Sequence, residues 1–395
     1  MANNWKLIFP VIHGVGNQDT RMQEQFVFDV VGRVKQRCSP ALVDDHLLPF
    51  LPDWSGEYFG ESNAWLTLLL YDMARSRMTD SDLSRWNITD ANLEQQVWQI
   101  AKGKAREAIF DARLPLALAA VASAFTSDTL IEALGKAAPW SDISTLGREF
   151  QAHTLSDIVM YLVEEPRVKI ISQLVNSSLR ALSEAQVGGD TVLYTLFCGH
   201  SLGSVIAYDL LRAIVKWNTP PSAAGGAAAT AAERSTTEFN AEKLGGGWDG
   251  ARSLLDRLQP LGLITFGCPL PFFLFRKPSL IGQPDIWQQL CPAGYAGYFA
   301  GGSSPQPPWR WQNLWHPADF VAHRCEPYFN RGLKPERKFV EDIQLPGRYI
   351  HGVEAHSSYW GFAKAGYDMA AGEQVKEVIA SRLAEVLTAL PRQAG

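Results

Sequence analysis

Residues 199–203 read Gly-His-Ser-Leu-Gly, and the place of this segment in the chain constrains the fold more than any other feature. The apolar, β-branched run at 192–198 precedes it and predicts a buried strand. Apolar residues then recur at helical spacing: Val205, Ile206, Leu210, Leu211 and Ile214. The sequence therefore predicts a strand, a tight turn with Ser201 at its apex, and a helix, since glycines suit a turn too crowded for side chains. The alternative is a glycine-rich turn that carries a serine by chance.

Predicted strands alternate with predicted helices along the rest of the chain. Strands are predicted at 6–12, 45–54, 262–267, 309–315 and 338–345. Helices are predicted at 19–37, 155–184 and 357–390, the last one broken near Gly366. This alternation predicts one α/β domain over residues 1–395, with a mainly parallel central sheet flanked by helices. In such a sheet, side chains that follow the strands meet at the carboxyl edge, where binding sites form.

Two segments are expected to be insertions into this sheet. Residues 75–150 have a helical pattern with an apolar stretch at 114–125, which is shorter than the about 20 residues that cross a membrane. We predict a helical insertion at 75–150. Residues 219–252 are rich in alanine and glycine, and we predict a flexible insertion without a core of its own.

The overall composition argues against several classes of protein. The net charge of the 395 residues is −5 and no long basic run occurs, so no nucleic-acid partner is expected. The five cysteines are odd in number and lack a Cys-x-x-Cys spacing, which indicates free thiols in a reducing compartment. No cleavable signal and no membrane-spanning stretch are predicted, so we expect a cytoplasmic protein, with signal-independent export as the open alternative.

A serine becomes a nucleophile when a base removes its proton, and the base needs an acid to orient it. In a strand–turn–helix site of this kind, the chain order is serine, acid, histidine. Four late histidines follow Ser201: His316, His323, His351 and His356. We favour His356, which we place in a loop before the terminal helix, with His351 as the alternative. His323 lies too close in sequence to the acid favoured below to serve as an in-line base.

Asp319 is the favoured acid because it follows the strand predicted at 309–315. A carboxylate on a short turn at a strand end can reach a histidine Nδ1. The alternative for Asp319 is a cap of the next helical turn. Glu341 and Asp342 are further candidates for the acid, although they lie in or beside the strand predicted at 338–345.

The oxyanion of an acyl-transfer reaction needs two N–H donors. One is the backbone N–H of Leu202, and the other is expected from the glycine-rich loop after the first strand, from Val15 first and Gly14 second. A phosphate-binding loop is a poor alternative, because Asp19 stands where the last glycine of Gly-x-Gly-x-x-Gly would be. His13 is expected to brace this loop and His200 to be a scaffold residue. Neither has a metal-ligand partner at helical spacing, so no metal and no cofactor are expected.

Together these segments resemble the α/β-hydrolase superfamily on its lipase and esterase side. The segment 11–18 and the Gly-His-Ser-Leu-Gly-Ser segment at 199–204 look like the oxyanion loop and serine turn of lipases and of GPI inositol-deacylase-like hydrolases. The segment 266–270 resembles the Gly-Ser-Pro-Leu strand end of lipases and DDHD-type phospholipase A1-like proteins, with Cys268 in place of serine. The segments 315–324 and 356–360 resemble their acid and histidine loops, with Phe320 where those proteins have proline.

The resemblance implies an α/β-hydrolase fold, but it does not cover residues 75–150 or 219–252. We predict that the 75–150 insertion forms a cap or lid. The resemblance also implies a serine hydrolase that cleaves carboxylic esters through an acyl-enzyme, with Ser201, His356 and Asp319 as the triad. Thirteen tryptophans and the 114–125 stretch favour a lipid or phospholipid substrate and peripheral contact with a membrane, although core packing explains them equally well. The alternatives are a soluble carboxylesterase or thioesterase, and a catalytically silent binding protein. The sequence indicates no oligomeric state.

Overall fold

The computed structural model describes residues 4–14, 20–52, 54, 164–218, 248–273, 310–319, 321–330, 338–347, 352–361 and 369–390. Six strands of this part of the chain form one sheet in the order β2-β1-β3-β4-β5-β6. Their bounds are β1 Trp5–Ile12, β2 Leu47–Phe50, β3 Val192–His200, β4 Leu258–Phe266, β5 Arg310–Trp315 and β6 Val340–Gln344. Every neighbouring pair is parallel. The structure confirms the predicted mainly parallel sheet flanked by helices.

Helices cover both faces of this sheet. Their bounds are α1 Thr20–Arg37, α2 Pro40–His46, α3 Glu164–Glu184, α4 Leu202–Asn218, α5 Trp248–Arg257, α6 Leu270–Phe273, α7 Glu326–Phe329, α8 Gly352–Ser358 and α9 Ala370–Ala389. Helices α1, α2 and α9 pack on one face and α3, α4 and α5 on the other. The described residues therefore form three layers around two apolar cores.

Strand β1 shows why these segments become parallel strands. Leu7, Phe9 and Val11 are buried in one core, whereas Ile8 and Ile12 are buried in the other. A strand that is apolar on both faces needs cover on both sides, which helices in a parallel sheet provide. This burial explains why continuous apolar runs, rather than alternating patterns, mark the strands in the sequence.

Some elements differ in extent from those predicted. The strand predicted at 45–54 is only Leu47–Phe50, because the short helix Pro40–His46 runs directly into it. Strand β4 begins earlier than predicted, at Leu258, immediately after α5. Helix α5 begins at Trp248, within the last residues of the segment predicted as a flexible insertion. The remainder of that segment and the insertion predicted at 75–150 lie outside the described residues.

The terminal helix predicted at 357–390 is two helices in the structure, α8 and α9. His356 therefore lies in the last turn of α8 and not in a loop, which corrects the prediction. Seven residues are too few for a periodic pattern to reveal a helix in the sequence. None of the described helices has the length and apolar character required to cross a membrane.

Candidate active site

Ser201 occupies a strained turn between β3 and α4. Its φ is +53°, a left-handed value that only two non-glycine residues of the described chain adopt. Such a conformation costs about 1–3 kcal/mol and persists only where the surrounding structure imposes it. The Ser201 N–H donates to the Phe266 carbonyl at 3.0 Å, and the Ser204 N–H donates to the Ser201 carbonyl at 2.9 Å. The turn predicted from the sequence is therefore present, with the serine at its apex.

The two glycines that flank this turn are required by close contacts. A Cβ on Gly199 would lie 2.5 Å from the Gly203 carbonyl oxygen. A Cβ on Gly203 would lie 2.2 Å from the Ile12 carbonyl oxygen and 2.5 Å from that of His13. These are backbone atoms that a rotamer change cannot move away. The glycines thus allow helix α4 to start directly against the end of β1.

Gly203→Ala is expected to lower the free energy of unfolding by about 3 kcal/mol or to prevent folding, because the added methyl group overlaps backbone atoms. Gly32 is the matched control, since a Cβ at this helical glycine of α1 meets nothing within 4 Å. Gly32→Ala is expected to stabilise the protein by about 0.5–1 kcal/mol. Urea unfolding of both variants checks these values. Equal stabilities for the two variants would contradict the packing at this turn.

Asp319 and His356 form a buried pair at the carboxyl edge of the sheet. The distance from His356 Nδ1 to Asp319 Oδ2 is 2.8 Å, and the two side chains are 1% and 0% exposed. Because a carboxylate only accepts hydrogen bonds, the proton lies on Nδ1 and the Nε2 lone pair points away from the acid. A general base in a serine hydrolase needs this tautomer.

The same edge brings Ser201 and His356 close to the ends of β1 and β4. A Cβ built on Gly14 would lie 2.5 Å from Ser201 Cβ and 3.1 Å from its Oγ. A Cβ on Gly267, which has a φ of +64°, would lie 3.0 Å from His356 Cε1. Gly14 therefore leaves room for the serine after β1, and Gly267 leaves room for the imidazole after β4. His200 joins them, with its ring centroid 4.8 Å from that of His356.

Leu202 and Gly14 are the two predicted oxyanion donors that lie within the described residues. Leu202 is the first residue of α4, and the N–H groups of the first helical turn have no partner within a helix. Gly14, which follows β1, lies directly against Ser201. Val15, the first choice for the second donor, lies outside the described residues.

Trp54 and His13 hold the start of this loop. The two rings stack with centroids 5.0 Å apart, and the Trp54 indole N–H donates to the His13 carbonyl at 3.2 Å. His13 Nδ1 lies 2.8 Å from the Gly14 carbonyl oxygen. These contacts hold His13 and Gly14 in place at the end of β1.

His200 is buried beneath the imidazole of His356. Its Nε2–H donates to the His356 backbone carbonyl at 3.2 Å, whereas its buried Nδ1 has no hydrogen-bond partner among the described residues. Burial lowers the pKa of His200 well below its usual value, and the neighbouring His356 and His13 lower it further. His200 therefore stays neutral and supports the peptide unit that carries His356.

A depressed pKa at His200 makes stability fall in acid. The unfolded state binds a proton at this residue below about pH 6.5 and the folded state does not, so protonation favours unfolding. We expect His200 to contribute about 2 kcal/mol of the loss in unfolding free energy between pH 7 and pH 5. His200→Gln, which can keep a donor to the His356 carbonyl, should lose correspondingly less. Urea unfolding at both pH values measures the difference, and equal losses would contradict the burial of a neutral His200.

Asp342, a further candidate for the acid, has a structural position instead. Its carboxylate accepts hydrogen bonds from Asn313 Nδ2 at 2.8 Å, the Cys325 N–H at 2.9 Å and the Glu326 N–H at 3.0 Å. It thereby fixes the start of α7. Glu341 is exposed and contacts Gln312 Nε2 at 3.3 Å. Neither carboxylate pairs with His356 in the structure.

Of the other candidate histidines, the structure describes His316 and His323. The backbone N–H of His323 donates to the Cys268 carbonyl at 3.0 Å, which ties the acid loop to the end of β4. His316 Nε2 donates to the Gly347 carbonyl at 3.1 Å. His351 lies outside the described residues.

Tyr359 is a member of this cluster that is not among the predicted site residues. Its hydroxyl donates to Asp319 Oδ2 at 2.8 Å and accepts the His316 backbone N–H at 3.1 Å, and its side chain is buried. The other carboxylate oxygen, Oδ1, accepts the Val321 N–H at 2.8 Å. Tyr359 lies just after α8, which ends at Ser358, and its place in the segment 356–360 is the signal for it in the sequence.

Within the described ranges, no group of three or more His, Cys, Asp or Glu residues is placed to hold a metal ion. The described cysteines Cys38, Cys198, Cys268 and Cys325 are free thiols. Burial raises the pKa of Cys198 and of Cys325, which keeps both thiols protonated and unreactive.

Comparisons of the chain with protein-family models, curated proteins and solved structures found no match. A sheet topology alone does not determine an activity, because one fold serves many functions. Function is therefore inferred from the geometry at Ser201, His356 and Asp319.

Proposed function

We propose that the protein is a serine hydrolase of the α/β-hydrolase fold that cleaves carboxylic esters. One observation carries this proposal: a serine with φ +53° at the end of a central parallel strand shares the carboxyl edge of the sheet with a buried His356–Asp319 pair joined by a 2.8 Å hydrogen bond. A strained turn presents a serine Oγ, and an acid-oriented imidazole is the base that such an Oγ needs. Neither feature is required merely to pack the sheet.

The proposed reaction follows the roles of these groups. Ser201 Oγ attacks the ester carbonyl carbon while His356 Nε2 takes the serine proton. The tetrahedral intermediate then expels the alcohol, which receives that proton from His356, and leaves an acyl group on Ser201. Water attacks the acyl-enzyme with His356 again as the base, and the carboxylic acid is released. Asp319 holds the imidazole and stabilises its charged form.

The oxyanion of the intermediate is proposed to bind two backbone N–H groups. The Leu202 N–H lies at the positive end of the α4 dipole, which favours negative charge. The second donor is proposed in the loop after β1, at Val15 or Gly14. The closeness of Gly14 to Ser201 Oγ supports the loop as its source.

A lipid or phospholipid ester is the proposed substrate class. The proposal rests on the tryptophan content and on the apolar stretch at 114–125, which would suit contact with an acyl chain or a membrane surface. A short-chain ester or thioester is the alternative substrate of the same site.

Two measurements test the proposal. A fluorophosphonate probe should modify Ser201, as identified by peptide mass spectrometry, because the probe reacts only with an activated serine. A panel of p-nitrophenyl esters of increasing acyl length should show hydrolysis with a preference for long chains, followed by phospholipid cleavage in vesicles. A short-chain preference would favour a soluble esterase. No hydrolysis together with no labelling would favour a binding protein.

A further inference from the structure

The acid of the candidate site has a partner that the proposed reaction does not use. Asp319 Oδ2 accepts two hydrogen bonds of 2.8 Å, one from His356 Nδ1–H and one from the Tyr359 hydroxyl. The same hydroxyl accepts the His316 backbone N–H at 3.1 Å. A chain of hydrogen bonds therefore runs from the turn after β5 through Tyr359 to the oxygen that orients the imidazole.

This arrangement fixes the carboxylate on both oxygens. The Val321 N–H holds Oδ1 at 2.8 Å, while Tyr359 and His356 share Oδ2. A hydroxyl that accepts one hydrogen bond becomes a better donor of the next, so the His316 N–H strengthens the Tyr359 contact. With donors on each side, the carboxylate has no freedom to rotate away from His356.

Tyr359 also forms a wall of the imidazole site. Its ring stands edge-on to that of His356, with centroids 6.1 Å apart and an interplanar angle of 86°. The tyrosine side chain is fully buried. Packing alone would be satisfied by phenylalanine, so the buried hydroxyl has a separate role.

We propose that Tyr359 is a positioning residue for the reaction at Ser201, a role that rests on the proposed function. Its hydroxyl holds Asp319 in the orientation that His356 requires. It also draws negative charge from Oδ2, which limits how strongly the acid stabilises a protonated His356. Tyr359 thus adjusts both the geometry and the basicity of the imidazole without touching the substrate.

Other titratable groups surround this cluster and are unchanged by a substitution at Tyr359. His200 lies at the end of β3 with its ring 4.8 Å from that of His356 and donates to the His356 carbonyl. His316 lies on the turn before Asp319 and its ring contacts the Gly347 carbonyl. His13 lies beyond His200 at the end of β1. Because these groups are the same in both proteins, the effect of Tyr359 on the pH profile is measured as the difference between the variant and wild type.

Tyr359→Phe tests the proposal, because it removes the hydroxyl and keeps the ring. We expect kcat/KM for a p-nitrophenyl ester to fall about tenfold, with the loss in kcat rather than in KM. We also expect the acid limb of the pH profile of kcat/KM to move up by about half a pH unit, since an unshared Oδ2 stabilises the protonated imidazole more strongly.

Tyr194→Phe is the matched control, since Tyr194 lies on β3 in the same apolar core and packs edge-on to Trp5. This variant should keep the wild-type rate and pH profile. If Tyr359→Phe kept the wild-type rate and the wild-type pH profile, the proposed role of the hydroxyl would be overturned.

A second readout does not depend on substrate turnover. In protein labelled with ¹³C at histidine Cε1, the His356 resonance is assigned by its loss in His356→Gln. It should titrate at a higher pH in Tyr359→Phe than in wild type, and an unchanged titration would overturn the proposal. Failure of Ser201 labelling and hydrolysis in wild type would instead count against the proposed function, and the titration separates the two results.

Discussion

Ser201→Ala is expected to lower kcat/KM for a p-nitrophenyl ester by about 10⁴-fold or more. The reason is chemical: alanine offers no oxygen to attack the carbonyl carbon, so the acyl-enzyme cannot form. The residual rate would come from water activated by His356 and from the N–H donors near Leu202. The measurement is a comparison of initial rates for wild type and variant at equal concentration, together with loss of fluorophosphonate labelling.

Ser204→Ala is the control for this substitution. It tests whether the loss of any buried serine hydroxyl in this turn lowers the rate. Ser204 is also buried, and its Oγ donates to the Gly199 carbonyl at 2.8 Å within the same turn. Because its hydroxyl is already committed to the backbone, Ser204→Ala should lower the unfolding free energy by about 1 kcal/mol and keep the rate within about tenfold. A greater loss of rate in Ser204→Ala than in Ser201→Ala would contradict the assignment of the nucleophile.

The stability of the Ser201→Ala variant adds a second readout. Ser201→Ala removes only the side-chain oxygen and leaves the strained backbone of the turn as it is. Little free energy of unfolding should therefore be lost. A variant that is inactive yet unfolds at the wild-type urea concentration would place the defect in the chemistry. A variant that is inactive because it is unfolded would instead carry no information about the nucleophile, and circular dichroism detects that case.

The sequence predicts the sheet well because most of its strands are buried on both faces. On β3, Leu193 is buried in one core, whereas Leu196 and Cys198 are buried in the other. The strand is therefore an unbroken apolar run in the sequence. Short elements leave weaker patterns, which explains why α2 and α8 were not predicted. Helix α2 is set by Pro40 at its start and by the packing of Val43, and neither produces a periodic signal over seven residues.

The partners in the candidate site could be predicted only where chain order carries information. The sequence favours Asp319 over Asp342 because Asp319 follows a strand, and the structure pairs Asp319, not Asp342, with His356. The contact of the Tyr359 hydroxyl could not be predicted, because it joins the turn after α8 to the turn after β5 through tertiary packing. Val15 and the insertion at 75–150 lie outside the described residues, so their predicted roles remain predictions.

Asp319→Asn is expected to lower kcat by about 10³–10⁴-fold, because an amide cannot satisfy the donors that surround the acid. Val321 N–H donates to one oxygen, whereas His356 and Tyr359 donate to the other. An asparagine must turn its NH₂ group toward one of these sets. If the NH₂ group faces His356, it donates a hydrogen bond to Nδ1, and the imidazole proton must then lie on Nε2. A proton on Nε2 prevents His356 from taking the serine proton.

The control for this substitution is Asp342→Asn, at a buried carboxylate of β6 that holds the start of α7. Asp342 is 2% exposed and accepts the Cys325 and Glu326 N–H groups, so its asparagine variant also places an amide against backbone donors. We expect Asp342→Asn to lower the unfolding free energy by about 1–3 kcal/mol and to keep kcat within a few-fold of wild type. Steady-state kinetics and urea unfolding of both variants therefore separate the two acids. If kcat fell equally in both, the loss would reflect a disturbed loop, and the orientation of His356 by Asp319 would no longer explain it.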